Sequence, residues 1–289
     1  MRKGATAGRW PAVLVATVVV ALVVAAAVTL AVDVHDVFGL RGRLAGSGLE
    51  VTYLYFHIYR EGGPVEIAQW SLLATLIIAA GFRAGALRAT DQVAVRFWLA
   101  VAVLGGLMLM EDAGNVRHYL ADIGVHMLPM SDPIARTLVE GAFYVLVASP
   151  ALLAVWLYRY VGPAHRPPLR FAIPGFLAYF TASVASASRV LGDWYMAAGY
   201  WVQANVIGDL PPLPDGVRWG MDGSDVTAFM VMDLMFEESI ELLGAVLLLA
   251  ACLAVGVPTL GRRMSPSGSA RCGPGDAGRR ASRQRFRRN

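Results

Sequence analysis

Residues 96–118 read RFWLAVAVLGGLMLMEDAGNVRH. Fourteen uncharged residues, Phe97 to Met110, separate Arg96 from the acidic pair Glu111 and Asp112. As a helix that run covers about 21 Å, against a bilayer hydrocarbon core of about 30 Å. Arg96 can snorkel toward one surface on its long aliphatic stem. Glu111 has a shorter reach, so this reading places it inside the outer leaflet or at its edge. If the helix continues with a 3.6-residue period, Glu111, Asn115 and His118 share a face and Asp112 stands about 100° to the side.

The rest of the chain supports a membrane reading of that segment. Of 289 residues 56% are hydrophobic and 16% charged, whereas soluble domains run nearer 45–50% and 25%. The apolar residues fall in blocks of bilayer length, at about residues 11–32, 66–83, 95–113, 138–158, 171–190 and 235–258. The expected fold is all-α: a polytopic membrane protein with a six-helix transmembrane bundle over residues 1–261. Residues 262–289, rich in Gly, Ser, Pro and Arg, read as a disordered basic cytoplasmic tail.

Basic residues set the expected orientation. Arg2, Lys3 and Arg9 precede the first block. Arg83, Arg88 and Arg96 border the second connection, and Arg159, Arg166 and Arg170 the fourth. Nine Arg follow Arg262 or include it. These are alternate loops, so the positive-inside rule puts both termini in the cytoplasm of a cell membrane. The same distribution accounts for the net charge of +4 and argues against nucleic acid as a partner; the expected partner is the lipid bilayer. A signal peptide over residues 1–32 is the rival reading of the first block, but its apolar run exceeds the 7–15 residues of an h-region. The two cysteines, Cys252 and Cys272, form no metal-binding spacing.

Nineteen of the 21 acidic residues lie on the outer side in this topology. Residues 233–244 read DLMFEESIELLG, with Glu237, Glu238 and Glu241 on adjacent turns. Such neighbours repel, more so at low dielectric, and Arg117, His118 and Arg189 are the candidate partners at that depth. Glu66 and Glu140 open the second and fourth blocks. Glu66, Glu140, Glu237 and Glu238 lie where a helix N-terminus favours an anion; Glu111 and Asp112 lie where a C-terminus disfavours one. The candidate ligand set is therefore Glu111, Asp112, His118, Glu237, Glu238 and Glu241, supported by Glu66, Asn115, Glu140 and Arg189. Carboxylates with one imidazole suit a divalent metal ion. The alternatives are a metal-dependent lipid or peptide hydrolase, a proton- or cation-coupled carrier, and a non-enzymatic assembly subunit. The aromatics of 33–65 (Tyr53, Tyr55, Phe56, His57, Tyr59) and of 190–232 (Trp194, Tyr195, Tyr200, Trp201, Trp219) read as headgroup-level belts of long loops.

Three segments together, EGGPVEIAQ at 61–69, Asp112 with His118, and EESIELLGA at 237–245, resemble an uncharacterised family of bacterial multi-pass membrane proteins. Acid-Gly-Pro-x-Glu, Asp-Glu…His-Glu and Glu-Glu-x-x-Glu-x-x-Gly motifs recur there. The chain departs from them at Ala113 and Tyr119, where the family carries Glu. The resemblance implies a helical membrane fold and no particular reaction. Membrane hydrolases resembling alkaline ceramidases need a His-x-x-x-His pair, which this chain lacks.

Overall fold

The computed structural model describes residues 9–47, 53–189, 193–213 and 222–255, and every regular element in them is helical. The order is α1 Arg9–Thr29, α2 Leu40–Ala45, α3 Leu54–Tyr59, α4 Pro64–Leu87, α5 Gln92–Gly114, α6 Val116–Met127, α7 Asp132–Tyr158, α8 Leu169–Ser188, α9 Trp194–Val202, α10 Gly223–Met230 and α11 Glu238–Leu253. Three π-helical stretches, Leu30–Val34, Gln203–Ile207 and Val231–Glu237, follow α1, α9 and α10. The tail 262–289, Trp219, and the last residues of the expected 235–258 span lie outside the described residues.

Five helical runs are long and apolar enough to cross a membrane: Arg9–Val34, Leu54–Leu87, Gln92–Gly114, Ile134–Tyr158 and Leu169–Ser188. The sixth block is not among them. Its helical run begins at Gly223, passes through the π stretch carrying Asp233 and Glu237, and enters α11 through Glu238 and Glu241. The 16 residues of α11 are central: α4, α8 and α1 all pack on it. Small residues make that possible, because lipid supplies no hydrophobic drive between helices and close backbone approach must replace it. A Cβ on Gly244 would stand 2.5 Å from Tyr179 of α8, and one on Gly175 of α8 3.0 Å from the Leu248 backbone nitrogen. Of the neighbouring Gly105 and Gly106 only the first makes such a contact. A Cβ on Gly105 would meet Ile77 at 3.1 Å, whereas Gly106 faces open space.

At the Arg83 end of the bundle, Leu76, Trp98, Leu157 and Leu249 anchor one apolar core. The buried Arg83 stacks on Trp98 at 5.4 Å and donates to the Val255 carbonyl, which closes α11 against α4. The opposite end is thicker than two loops. There α3, α9, α10 and the π stretches build a second core in which Tyr55, Tyr59 and Tyr195 are at most 1% exposed. The belt reading fails for these three, which pack against Phe229, Met230 and Leu234 instead. It stays compatible with the exposed Trp194, Tyr200 and Trp201. Asp33, fully buried in the π turn after α1, accepts from the backbone nitrogens of Leu54 (2.8 Å) and Tyr55 (2.7 Å). It thereby caps α3, twenty-one residues on.

The third span does not run on through His118. Asn115 adopts left-handed φ 47°, ψ 33° and divides α5 from α6. Asparagine tolerates that region better than branched residues and often ends helices there. The turn folds α6 back against α7. The single face expected for Glu111, Asn115 and His118 is therefore broken.

Candidate functional site

The π stretch, α11, and the adjoining ends of α4, α5, α6 and α8 enclose a polar cavity of about 60 Å³. Eight carboxylic acids line it: Glu61, Glu66, Glu111, Asp112, Asp233, Glu237, Glu238 and Glu241. Arg117, His118, Arg189 and Asn115 line it too. All six proposed ligands are thus brought to one place, and so are Glu66, Asn115 and Arg189. Glu140 borders the cluster through Arg117 and His118.

The cluster has two halves. In the first, cations answer acids. Arg117 Nε donates to Glu111 Oε1 at 2.7 Å and its Nη1 to Ser186 at 3.1 Å, with Glu140 4.0 Å away and the Tyr144 ring 5.2 Å below. Arg189 Nη1 donates to Asp233 at 2.8 Å. His118 sits between them, its Nε2 facing Arg117 Nη2 at 3.3 Å and Arg189 Nη2 at 3.2 Å. Guanidinium nitrogens only donate. Nε2 is therefore an acceptor, and the proton of a neutral ring lies on Nδ1, which points at Glu140 from 3.8 Å. Burial and the two guanidinium charges push the imidazole down to about 4.

That depression has a sign in stability. Between about 4 and the ordinary 6.5 the unfolded chain binds the His118 proton and the folded one does not, so His118 makes stability fall as pH drops through that window. The difference in melting temperature between wild type and His118→Gln is expected to shrink or reverse from pH 7 to pH 4.5. A thermal-unfolding series across that range checks it, and a pH-independent difference contradicts the assignment.

In the second half acids meet without a cation. Gln69 of α4, fully buried, donates through Nε2 to Asp112 at 2.6 Å and to Glu241 at 2.9 Å. Among the described residues no Lys, Arg or His lies within 4.0 Å of Asp112, Glu238 or Glu241. Gln69 Oε1, Glu238 Oε2 and the Tyr179 hydroxyl are buried with no hydrogen-bond partner among the described residues. Buried polar groups are ordinarily satisfied, and a carboxylate left bare in low dielectric is neutralised by a proton or a counter-ion.

The helix-terminus account of the acids survives only in part. Glu66, in the first turn of α4, accepts from the Gly62 nitrogen and is a local cap. Glu140 does not open a helix, since α7 starts eight residues earlier, at Asp132. Glu237 and Glu238 follow fourteen or more residues of helical backbone from Gly223, too far in for an end effect that fades within a turn. Glu237 instead accepts from Tyr195 at 2.8 Å. A π stretch at this point is itself notable, because such insertions concentrate at functional sites.

The metal-ligand geometry expected from the sequence does not form: among the described residues no three His, Cys, Asp or Glu are placed to hold a metal ion. His118 Nε2 already has two donors. Sequence reasoning picked out Arg117 and Arg189 as partners and overlooked Gln69, Asp233, Tyr195 and Ser186. The Glu66-x-x-Gln69 spacing, one turn on a helix, was the available signal for Gln69. Comparison of the chain with protein-family models, curated proteins and solved structures finds no match in any of the three.

Proposed function

We propose that this chain is a six-span cell-membrane protein, with α11 as its sixth span, both termini cytoplasmic and the carboxylate cavity at the outer end. In that reading the carboxylates of Asp112, Glu238 and Glu241 take up a small cation from solution and draw together around it, from an arrangement in which, among the described residues, no three are already placed as ligands. One observation carries it: the half-buried carboxylates of Asp112 and Glu241 share a single amide donor, and among the described residues no cationic group lies within 4.0 Å of either. Eight acids face two guanidinium groups, and positive charge from solution restores the balance. The cavity's size fits a bare or sparsely hydrated ion, and its free ligands are oxygens, the ligand class of hard cations. The resemblance to bacterial multi-pass proteins is consistent with this placement and adds no reaction. A metal-dependent hydrolase lacks support, because His118 is engaged by arginines. A carrier lacks acids on the inner halves of these helices.

Cation binding is expected to stabilise the folded state by about 2.7 kcal/mol at one hundred times the dissociation constant. Thermal unfolding of detergent-purified protein against Na⁺, K⁺, Mg²⁺, Ca²⁺ and Zn²⁺ at constant ionic strength checks this. At least one should raise the melting temperature in wild type and none in Asp112→Asn/Glu241→Gln. If none does, and the double variant is as stable as wild type, the acids are a self-neutralised structural network. For orientation, single cysteines at the exposed Ser47 and Ser224 should react with impermeant thiol reagents in intact cells, and one at Gly162 should not; the reverse pattern overturns the topology.

A further inference from the structure

Bridging two acids uses only half of the Gln69 amide. The side chain is fully buried on α4, which packs against both α5 and α11. Its nitrogen is fully spent, since Nε2 donates to Asp112 of α5 at 2.6 Å and to Glu241 of α11 at 2.9 Å. Its oxygen is not. Oε1 is buried and, among the described residues, has no donor facing it. A buried acceptor without a donor bears its full desolvation penalty. Lysine at this position could bridge the same two acids, supply positive charge and bury no acceptor. Glutamine brings an oxygen to the acids, and the bridge alone gives that oxygen no purpose.

Charge decides which end of the amide faces the acids. Toward two carboxylates with no cationic group beside them, the amide must present its NH2, because its carbonyl would oppose oxygen with oxygen. A cation taken up between the acids reverses that preference. The NH2 hydrogens then repel the ion and the carbonyl oxygen attracts it. The last torsion of a glutamine side chain is broad and roughly two-fold. A half-turn about it therefore exchanges nitrogen and oxygen while the stem and the three helices stay in place. Glutamine carbonyls are regular ligands of hard cations, alongside carboxylates. The same buried side chain can thus hold Asp112 and Glu241 together through its nitrogen and ligate the ion between them through its oxygen.

We propose that Gln69 is a ligand of the cation taken up by Asp112, Glu238 and Glu241, and reaches it by inversion of its side-chain amide. Ligation by Gln69 presupposes the cation binding proposed above, and the test separates the two. Full-length protein in micelles is titrated calorimetrically with the chlorides of Na⁺, K⁺, Mg²⁺, Ca²⁺ and Zn²⁺ at constant ionic strength. Loss of an outer partner of a metal ligand already costs 10–100-fold in affinity, so an ion that binds wild type should bind Gln69→Leu at least about tenfold more weakly. Gln69→Glu, which keeps an oxygen there, should recover most of the loss. Equal or tighter binding by Gln69→Leu overturns the proposal and leaves the cation reading standing, because a group that only donates to the acids competes with the ion. No binding of any of the five ions to wild type overturns both. A second measurement needs no variant to fold. With carbon-13 in the side-chain carbonyls of the four glutamines, adding the bound ion to wild type should shift one carbonyl stretch in the infrared difference spectrum. An unshifted spectrum in protein that binds the ion overturns the inversion.

Discussion

Arg117→Met is expected to destabilise the protein by about 3–5 kcal/mol, the cost of breaking a buried ion pair from one side. The Arg117 residue is 5% exposed and touches Glu111, Ser186, His118 and the Tyr144 ring. Methionine matches its stem but leaves Glu111 charged, half-buried and without its partner. Removing that charge as well should recover most of the loss, since replacing both members of a buried pair by apolar groups is often close to neutral. Equilibrium unfolding in mixed micelles of wild type, Arg117→Met, Glu111→Leu and the double variant measures the coupling. If Arg117→Met costs less than about 1 kcal/mol, or the double variant is no better than the single, Glu111 has another counter-charge and the division of the cluster into two halves is wrong.

Gly199→Ala is the other change expected to be severe. Where α9 crosses α10, a Cβ on Gly199 would lie 1.9 Å from the Ala228 carbonyl oxygen and 2.6 Å from its carbon. Both are backbone atoms of a buried helix, so no side chain can swing aside and the two helices must part. Overpacking of well-packed sites costs about 1–3 kcal/mol and occasionally more; a rigid clash of this depth belongs at or above the top of that range. The core holding Tyr195, Phe229 and Met230 should loosen with it. Gly106→Ala is the matched control. It adds the same methyl to a helix at open space and should be neutral or stabilising by up to about 1 kcal/mol. Melting temperatures of the two variants in one detergent decide the matter, and equal values would contradict the packing described.

The contrast between these glycines shows what could be read from sequence. Five helices long and apolar enough to cross a membrane were legible because apolar blocks of bilayer length between basic flanks leave few alternatives. The polar end was legible as a depth: Glu111, Arg117, Glu241 and Arg189 were all expected near one height, and they share one cavity. What sits beside what was not. Gln69 bridges Asp112 and Glu241 across separations of 43 and 172 residues, and no periodicity carries such a contact. The break at Asn115 had a local signal in the Gly114-Asn115 pair, residues that accept left-handed backbone, but helix periodicity alone overrode it. The capping role of Asp33 was hidden because its acceptor atoms serve a helix that begins beyond an intervening one. Buried tyrosines were taken for belt residues because composition cannot separate an aromatic at a lipid surface from one in a core.

The central claim is that positive charge from solution completes the half of the cavity around Asp112, Glu238 and Glu241. Proton release on cation binding tests it most directly, because a cation entering a site of buried acids displaces the protons that neutralised them. In weakly buffered micelle solution near neutral pH, adding the stabilising cation to wild type should release about one proton or more per ion bound. In Asp112→Asn/Glu241→Gln both the release and the binding should vanish. Unchanged pH with no heat of binding in wild type, across all five cations, would contradict the account.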